Sequence, residues 1–178
     1  CPADQNAAVY IKNVDPAWTT EEILDCIHEG GIHKYSRQKA NEFYDSCAVT
    51  LTFKYRRAAV SFLRRARTEG IYIKGQEVDV VRSRHHCWGI EKGREKQSRV
   101  LQVEGPKELL DADKLEADLH NHISFTLVKR EEWVEDGRKS YDVLINELSG
   151  QSRAAVAFLA REEKYNRVLT WRYAADPC

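Results

Sequence analysis

Residues 8–14 (A-V-Y-I-K-N-V) form a short apolar run that Lys12 interrupts and Asp15-Pro16 ends, which predicts a strand. Thr19-x-x-Glu22 is a capping box. The helix that it starts has Ile23, Leu24 and Ile27 on its apolar face and stops at Gly30-Gly31. A second strand is predicted over 32–38, followed by a polar, aromatic loop over 39–45. Residues 47–53 put Val49, Leu51 and Phe53 on one side and Ala48, Thr50 and Thr52 on the other, the pattern of a half-buried strand. Next, Ala59, Phe62, Leu63 and Ala66 fall at i, i+3, i+4 and i+7, the buried stripe of a helix that Gly70 ends. Gly75 turns the chain into a last strand over 78–82.

The order is strand, helix, strand, strand, helix, strand, and it occurs twice. Strands are predicted over 99–104, 125–129, 141–148 and 168–173, and helices over 112–122 and 152–165, with Asp111 as a cap and Leu115 and Leu119 facing inward. Residues 131–139 read as a charged loop or an extended hairpin with Asp136-Gly137 at its tip. The internal repeat is direct: Arg57-Ala58-Ala59-Val60-Ser61-Phe62-Leu63 returns, with one change, as Arg153-Ala154-Ala155-Val156-Ala157-Phe158-Leu159. One structural unit is used twice. The boundaries that follow are 6–84 for the first module, 85–97 for a linker anchored by Trp88, and 98–176 for the second module.

Composition agrees with two small cores: of the 178 residues, 42 % are apolar and 31 % charged. No apolar run is long enough for a membrane span. The absence of Met, with Cys1 first, reads as a piece of a longer protein. Five scattered cysteines with no C-x-x-C point to a reducing compartment, nucleus or cytosol, with the nucleus favoured. The net charge of zero conceals an asymmetry. Residues 1–99 carry 17 Lys and Arg against 13 Asp and Glu, whereas residues 100–178 carry 11 against 15. The first module, at +4, is the better candidate for a polyanion.

Val9-Tyr10-Ile11-Lys12-Asn13-Val14 fits aliphatic, aromatic, aliphatic, any, Asn or Gly, aliphatic. With the element order, it resembles the hexamer signature of the RNA recognition motif. The resemblance implies an α+β fold of two ferredoxin-like βαββαβ modules, each a four-stranded antiparallel sheet backed by two helices. The family's second signature, an octamer, falls on residues 46–53 and is degenerate: Ala48 and Thr50 stand where base-stacking aromatics belong. In the second module Gln102 replaces the hexamer aromatic, and either Asp142 and Leu144 or Val143 and Ile145 take the octamer sites. Neither register supplies an aromatic there.

The resemblance implies single-stranded RNA, or single-stranded DNA, as partner of the first module. Tyr10 would stack a base, helped by Trp88 or an aromatic of the 39–45 loop. Lys12 and Thr50 would share its face, Lys34 and Arg37 would flank it, and Arg82 and Arg84 would meet phosphates as the chain leaves the last strand. Trp88 is either such a base stack or an apolar pin that holds the linker to a module, the pin being favoured because an exposed indole is costly in water. Arg57, Arg64 and Arg65 form a secondary basic face on the opposite side. The second module, acidic and without a stacking aromatic, would support the first or contact protein. The alternative is a protein-interaction scaffold built from two pseudo-modules. No metal, cofactor or catalysis is expected: His85-His86-Cys87 lacks further ligands at workable spacing, and no phosphate loop, nucleophile elbow or H-E-x-x-H is present.

Overall fold

A computed structural model describes residues 1–40, 42 and 45–178. The loop aromatics Phe43 and Tyr44, offered above as helpers of Tyr10, lie outside the described residues. The chain divides into two compact units, Cys1–Glu95 with Asp176–Cys178, and Lys96–Ala175. Residues 85–95, expected to be linker, thus belong to the first unit. The reason is a set of backbone hydrogen bonds: Ala7 N donates to Cys87 O at 2.9 Å, and Ile90 N to Lys54 O at 2.8 Å. Gly89 allows the approach, since a Cβ there would lie 2.2 Å from the Lys54 carbonyl oxygen.

The first unit contains β1 (Ala8–Val14), α1 (Thr20–Leu24), β2 (Ile32–Gln38), β3 (Cys47–Phe53), α2 (Arg56–Thr68), β4 (Ile71–Ile73) and β5 (Gln76–Arg82). Its sheet has the order β2-β3-β1-β5-β4, and all pairings are antiparallel. The expected βαββαβ order is present, with the small strand β4 added as a hairpin to the last strand. Thr19 and Glu22 close the capping box, the Glu22 amide donating to the Thr19 hydroxyl and the Thr19 amide to the Glu22 carboxylate. The helix is shorter than its apolar face suggested, and Ile27 is buried in the turn after it. Asn13, in the left-handed region at φ 59°, sits where the β1–β3 register slips, a bulge that Asn tolerates.

The second unit contains β6 (Val100–Pro106), α3 (Ala112–His122), β7 (Leu127–Glu135), β8 (Arg138–Ile145), α4 (Arg153–Arg161), α5 (Glu163–Asn166) and β9 (Thr170–Tyr173). Its sheet order is β7-β8-β6-β9. Asp111 caps α3 by accepting from Lys114 N at 3.1 Å. Of the two readings of 131–139, the extended hairpin is correct: Asp136 and Gly137 have φ 48° and 75°, and Glu135 pairs with Arg138. The helix expected over 152–165 is divided. A π-turn, Leu148–Ser152, precedes α4, and extended backbone at Glu162 separates α4 from α5.

The repeated heptapeptide is a backing helix in both units. Ala59, Phe62 and Leu63 of α2 are buried under the first sheet, as are Ala155, Phe158 and Leu159 of α4 under the second. Apolar residues of alternate strand positions face them: Val9, Ile11, Val49 and Leu51 in one unit, Leu101, Val103, Val143 and Ile145 in the other. The opposite face of each sheet carries no helix, so its composition decides what each module can hold.

Candidate nucleic-acid interface

Strand register assigns the residues of the open face. Tyr10 lies opposite Thr50 on β3 and Val81 on β5, and Thr50 lies opposite Ser36 on β2. Cross-strand partners share a face, so Lys12, Ala48, Thr52, Lys34 and Gln38 join them. The Tyr10 hydroxyl donates to Gln38 Oε1 at 2.9 Å, reaching across β3 to β2. Small residues at the octamer sites make room for this: Ala48 and Thr50 lie beneath the path that a larger aromatic would block.

A cavity of about 520 Å³ opens on this face, lined by Tyr10, Lys12, Gln38, Thr50, Val81, Arg82, Ser83, Arg84 and His85. Five residues named from the sequence therefore converge: Tyr10, Lys12, Thr50, Arg82 and Arg84. Lys34 is on the same sheet face, exposed, opposite Thr52. Lys12, Lys34 and Arg84 are exposed and form no ion pair or side-chain hydrogen bond among the described residues.

Three of the expected contacts need correction. Arg37 is one residue out of phase with Lys34, Ser36 and Gln38, so its side chain leaves from the helix side. Its guanidinium donates to the carbonyls of Trp18 at 2.6 Å, Asp15 at 2.9 Å and Pro16 at 3.0 Å, and braces the loop after β1. Arg82 lies opposite buried Val9, out of phase with Tyr10, and donates to Ala3 O at 3.2 Å; it borders the cavity but is already engaged. Trp88 is 59 % exposed, so its indole is not the apolar pin of the linker. Backbone bonds at Cys87 and Ile90 hold that segment instead.

The residue that shapes the rim was not singled out in the sequence. Asn6 is buried, its Oδ1 accepts from Ala8 N at 2.9 Å and Cys87 N at 3.0 Å, and its amide donates to Ser83 O at 3.1 Å. It ties the start of β1 to the chain leaving β5 and so positions Arg84 and His85. The available signal was a side-chain amide placed just before an apolar strand, where an Asx turn forms.

The second module's open face is built differently. Of the two pairs weighed for this strand, Asp142 and Leu144 are on the open side: Asp142 lies opposite Gln102, and Val143 and Ile145 are buried. Arg172 Nε donates to Gln102 Oε1 at 2.6 Å, and Asp142 stands across the strand pair from Gln102 with its Oδ1 buried and without a hydrogen-bond partner among the described residues. Burial pushes the Asp142 carboxyl above the usual carboxylate range, with Gln102 opposing the shift. An aromatic does reach this face, from an edge strand. Trp133 lies opposite Ser140, which lies opposite Glu104, so it shares the Gln102 side and is 38 % exposed.

On α2 the expected basic trio is altered too. Arg65 is consumed: its guanidinium lies 2.6 Å from the Glu29 carboxylate and donates to Cys26 O at 2.7 Å. Arg57 and Arg64 are exposed, and Arg56 and Arg67 are exposed beside them. Among the described residues no group of three or more His, Cys, Asp or Glu is placed to hold a metal ion, and no helix is long and apolar enough to cross a membrane.

No family model matches the chain, and no curated protein matches it. Among solved structures it is similar to the first two RRM domains of yeast poly(U) binding protein Pub1, at 12 % identity and a TM-score of 0.38, covering 94 % of this chain and 99 % of that one. It is similar to Sex-lethal RNA recognition domains 1 and 2 from Drosophila melanogaster, at 15 % identity and a TM-score of 0.32, covering 95 % and 100 %. The N-terminal three RNA binding domains of the yeast splicing factor Prp24 align at 13 % identity and a TM-score of 0.34, over 95 % of this chain and 67 % of that one.

Proposed function

We propose that the chain is a non-catalytic RNA-binding tandem in which the first module holds single-stranded RNA on its open sheet face. The observation that carries the reading is the groove over β1 and β3, where Tyr10, Thr50 and Val81 form the floor and unpaired Lys12 and Arg84 the rim. Tyr10 stacks one base, and Gln38, which holds its hydroxyl, limits the ring's movement. Lys12, Lys34 and Arg84 meet phosphates. With one stacking ring instead of three, affinity is modest, since each stack contributes roughly 1–3 kcal/mol.

The second module supports the first or contacts protein. Its central face is occupied by the polar row of Arg172, Gln102 and Asp142, with Arg172 bonded to Gln102, which offers no ring for a base to stack on there. Short single-stranded RNA pools titrated at low and moderate salt test the proposal. Tyr10→Ala should weaken binding by about tenfold, and three phosphate contacts should give a log–log salt slope near roughly −2. Equal binding by Tyr10→Ala and the unmodified chain would remove the sheet-face mechanism.

A further inference from the structure

The outer face of α2 carries four arginines within a narrow arc. At 3.6 residues per turn, Arg56, Arg67, Arg64 and Arg57 fall within about 100° of one another, and exposed Val60 lies among them. From Arg56 to Arg67 the row runs about 16 Å along the helix. Arg56, Arg64 and Arg67 form no ion pair among the described residues, and Arg57 lies 5.1 Å over the Tyr55 ring.

Neither the scaffold nor the helix requires this row. The repeat supplies an internal control, because α4 is the same backing helix 96 residues on. At the positions 96 residues on, Ser152 before α4, Ala160 within it and Glu163 in α5 replace Arg56, Arg64 and Arg67, whereas Arg57 returns as Arg153 and the buried Ala, Phe and Leu are unchanged. Arg56 and Arg57 also occupy the first turn, next to the positive end of the helix dipole, where cations are disfavoured. No acidic residue lies in that turn to offset them.

We infer that this face docks an acidic protein segment bearing an apolar residue. Guanidinium groups match carboxylates as planar, bidentate partners. The arrangement of an apolar centre inside an arginine rim is that of a protein interface. Single-stranded RNA is the weaker fit: Tyr55, the aromatic beside Arg57, is half-buried with the guanidinium across it, so that ring is not free for bases. This surface is on the helix side, opposite the Tyr10 groove, and does not depend on what the groove binds.

The test uses the full chain and a fluorescein-labelled synthetic peptide of about 16 residues, Asp and Glu flanking a central Leu, read by anisotropy at about 50 mM salt. Binding is expected in the range of about 10–100 μM. Arg64→Glu with Arg67→Glu should weaken it at least about tenfold, and the milder Arg64→Gln with Arg67→Gln by roughly threefold. Val60→Ser should weaken the Leu peptide but not its Leu→Ser counterpart. Tyr10→Ala should leave the peptide unaffected. The inference fails if the peptide does not bind at about 1 mM, or if the arginine variants bind it as the unmodified chain does. It also fails if Tyr10→Ala abolishes binding, or if a ten-uridine RNA displaces the peptide and both arginine variants lose RNA in parallel.

Discussion

Across the middle of the first sheet the residues in register are Val81, Tyr10 and Thr50; across the second they are Arg172, Gln102 and Asp142. The helix beneath is nearly the same sequence in both. The contrast separates what a fold needs from what a surface offers. Burial on the helix side keeps the same Ala, Phe and Leu in both backing helices and apolar residues on the strands above them, whereas the open side is free to be a groove with a tyrosine floor or a row of polar residues.

Removing the shared part should give the largest effect. Phe62 is fully buried and lies 5.7 Å from the Phe53 ring, and Phe158 is 2 % exposed and lies 5.9 Å from the Tyr165 ring. Either substituted by Ala should cost its module about 3–5 kcal/mol. Thermal unfolding should then show one early and one unchanged transition, the early one belonging to the substituted module. A parallel drop of the whole curve for Phe62→Ala would mean that the modules unfold together, and the comparison of independent units would break.

What could be read in the sequence follows the same division. The backing helices, the capping box at Thr19, the Asp111 cap and the alternation over 47–53 were legible because burial imposes a period on the chain. Lys12 beside Tyr10 was legible because residues two apart on a strand share a face, whereas Thr50 and Arg84 were placed there only by the resemblance. Arg37 and Arg82 were not legible, since their placement depends on strand phase, and a polar strand such as 32–38 shows its phase only weakly. Arg65 was misread because its partner, Glu29, is 36 residues away in sequence. Trp133 was not placed on the open face because the aromatic signatures are sought on central strands, and it sits on an edge.

Asn6 and Ser98 sharpen the comparison at intermediate size. Each stands two residues before its strand's first residue and accepts from the amide two positions on: Ala8 N at 2.9 Å in one module, Val100 N at 3.1 Å in the other. Beyond that they diverge. Asn6 also holds Ser83 O and Cys87 N, the rim of the groove, whereas the Ser98 carbonyl accepts from the Ser152 hydroxyl at 2.7 Å, at the start of α4. Asn6→Ala leaves two buried partners unsatisfied and should cost about 1–3 kcal/mol. Hydrogen exchange should show the Cys87 amide losing protection, with RNA affinity falling as Arg84 loses its anchor. Unchanged protection at Cys87 would mean that the rim is held by the Ala7 bond alone.

The smallest effect concerns the polar row itself. Asp142 occupies the place of Thr50, and burial raises its carboxyl pKa in the folded chain. The folded module therefore binds a proton more tightly than the unfolded chain, whose aspartates titrate near roughly 3.9. Stability linked to this group is complete below that pH and declines as pH rises through the raised folded value. At neutral pH the ionised carboxylate is a liability, reduced by Gln102 and by Arg172, and increased by Glu131. Asp142→Asn removes the charge and keeps the shape, so the second module should melt higher at neutral pH, by at most about 4 °C because the side chain is partly solvated. The gain should vanish near pH 4, and the first module's transition should not move. A variant less stable at neutral pH would show instead that the carboxylate is held in place by Arg172 and Gln102, and that the second sheet keeps its charge as part of the fold.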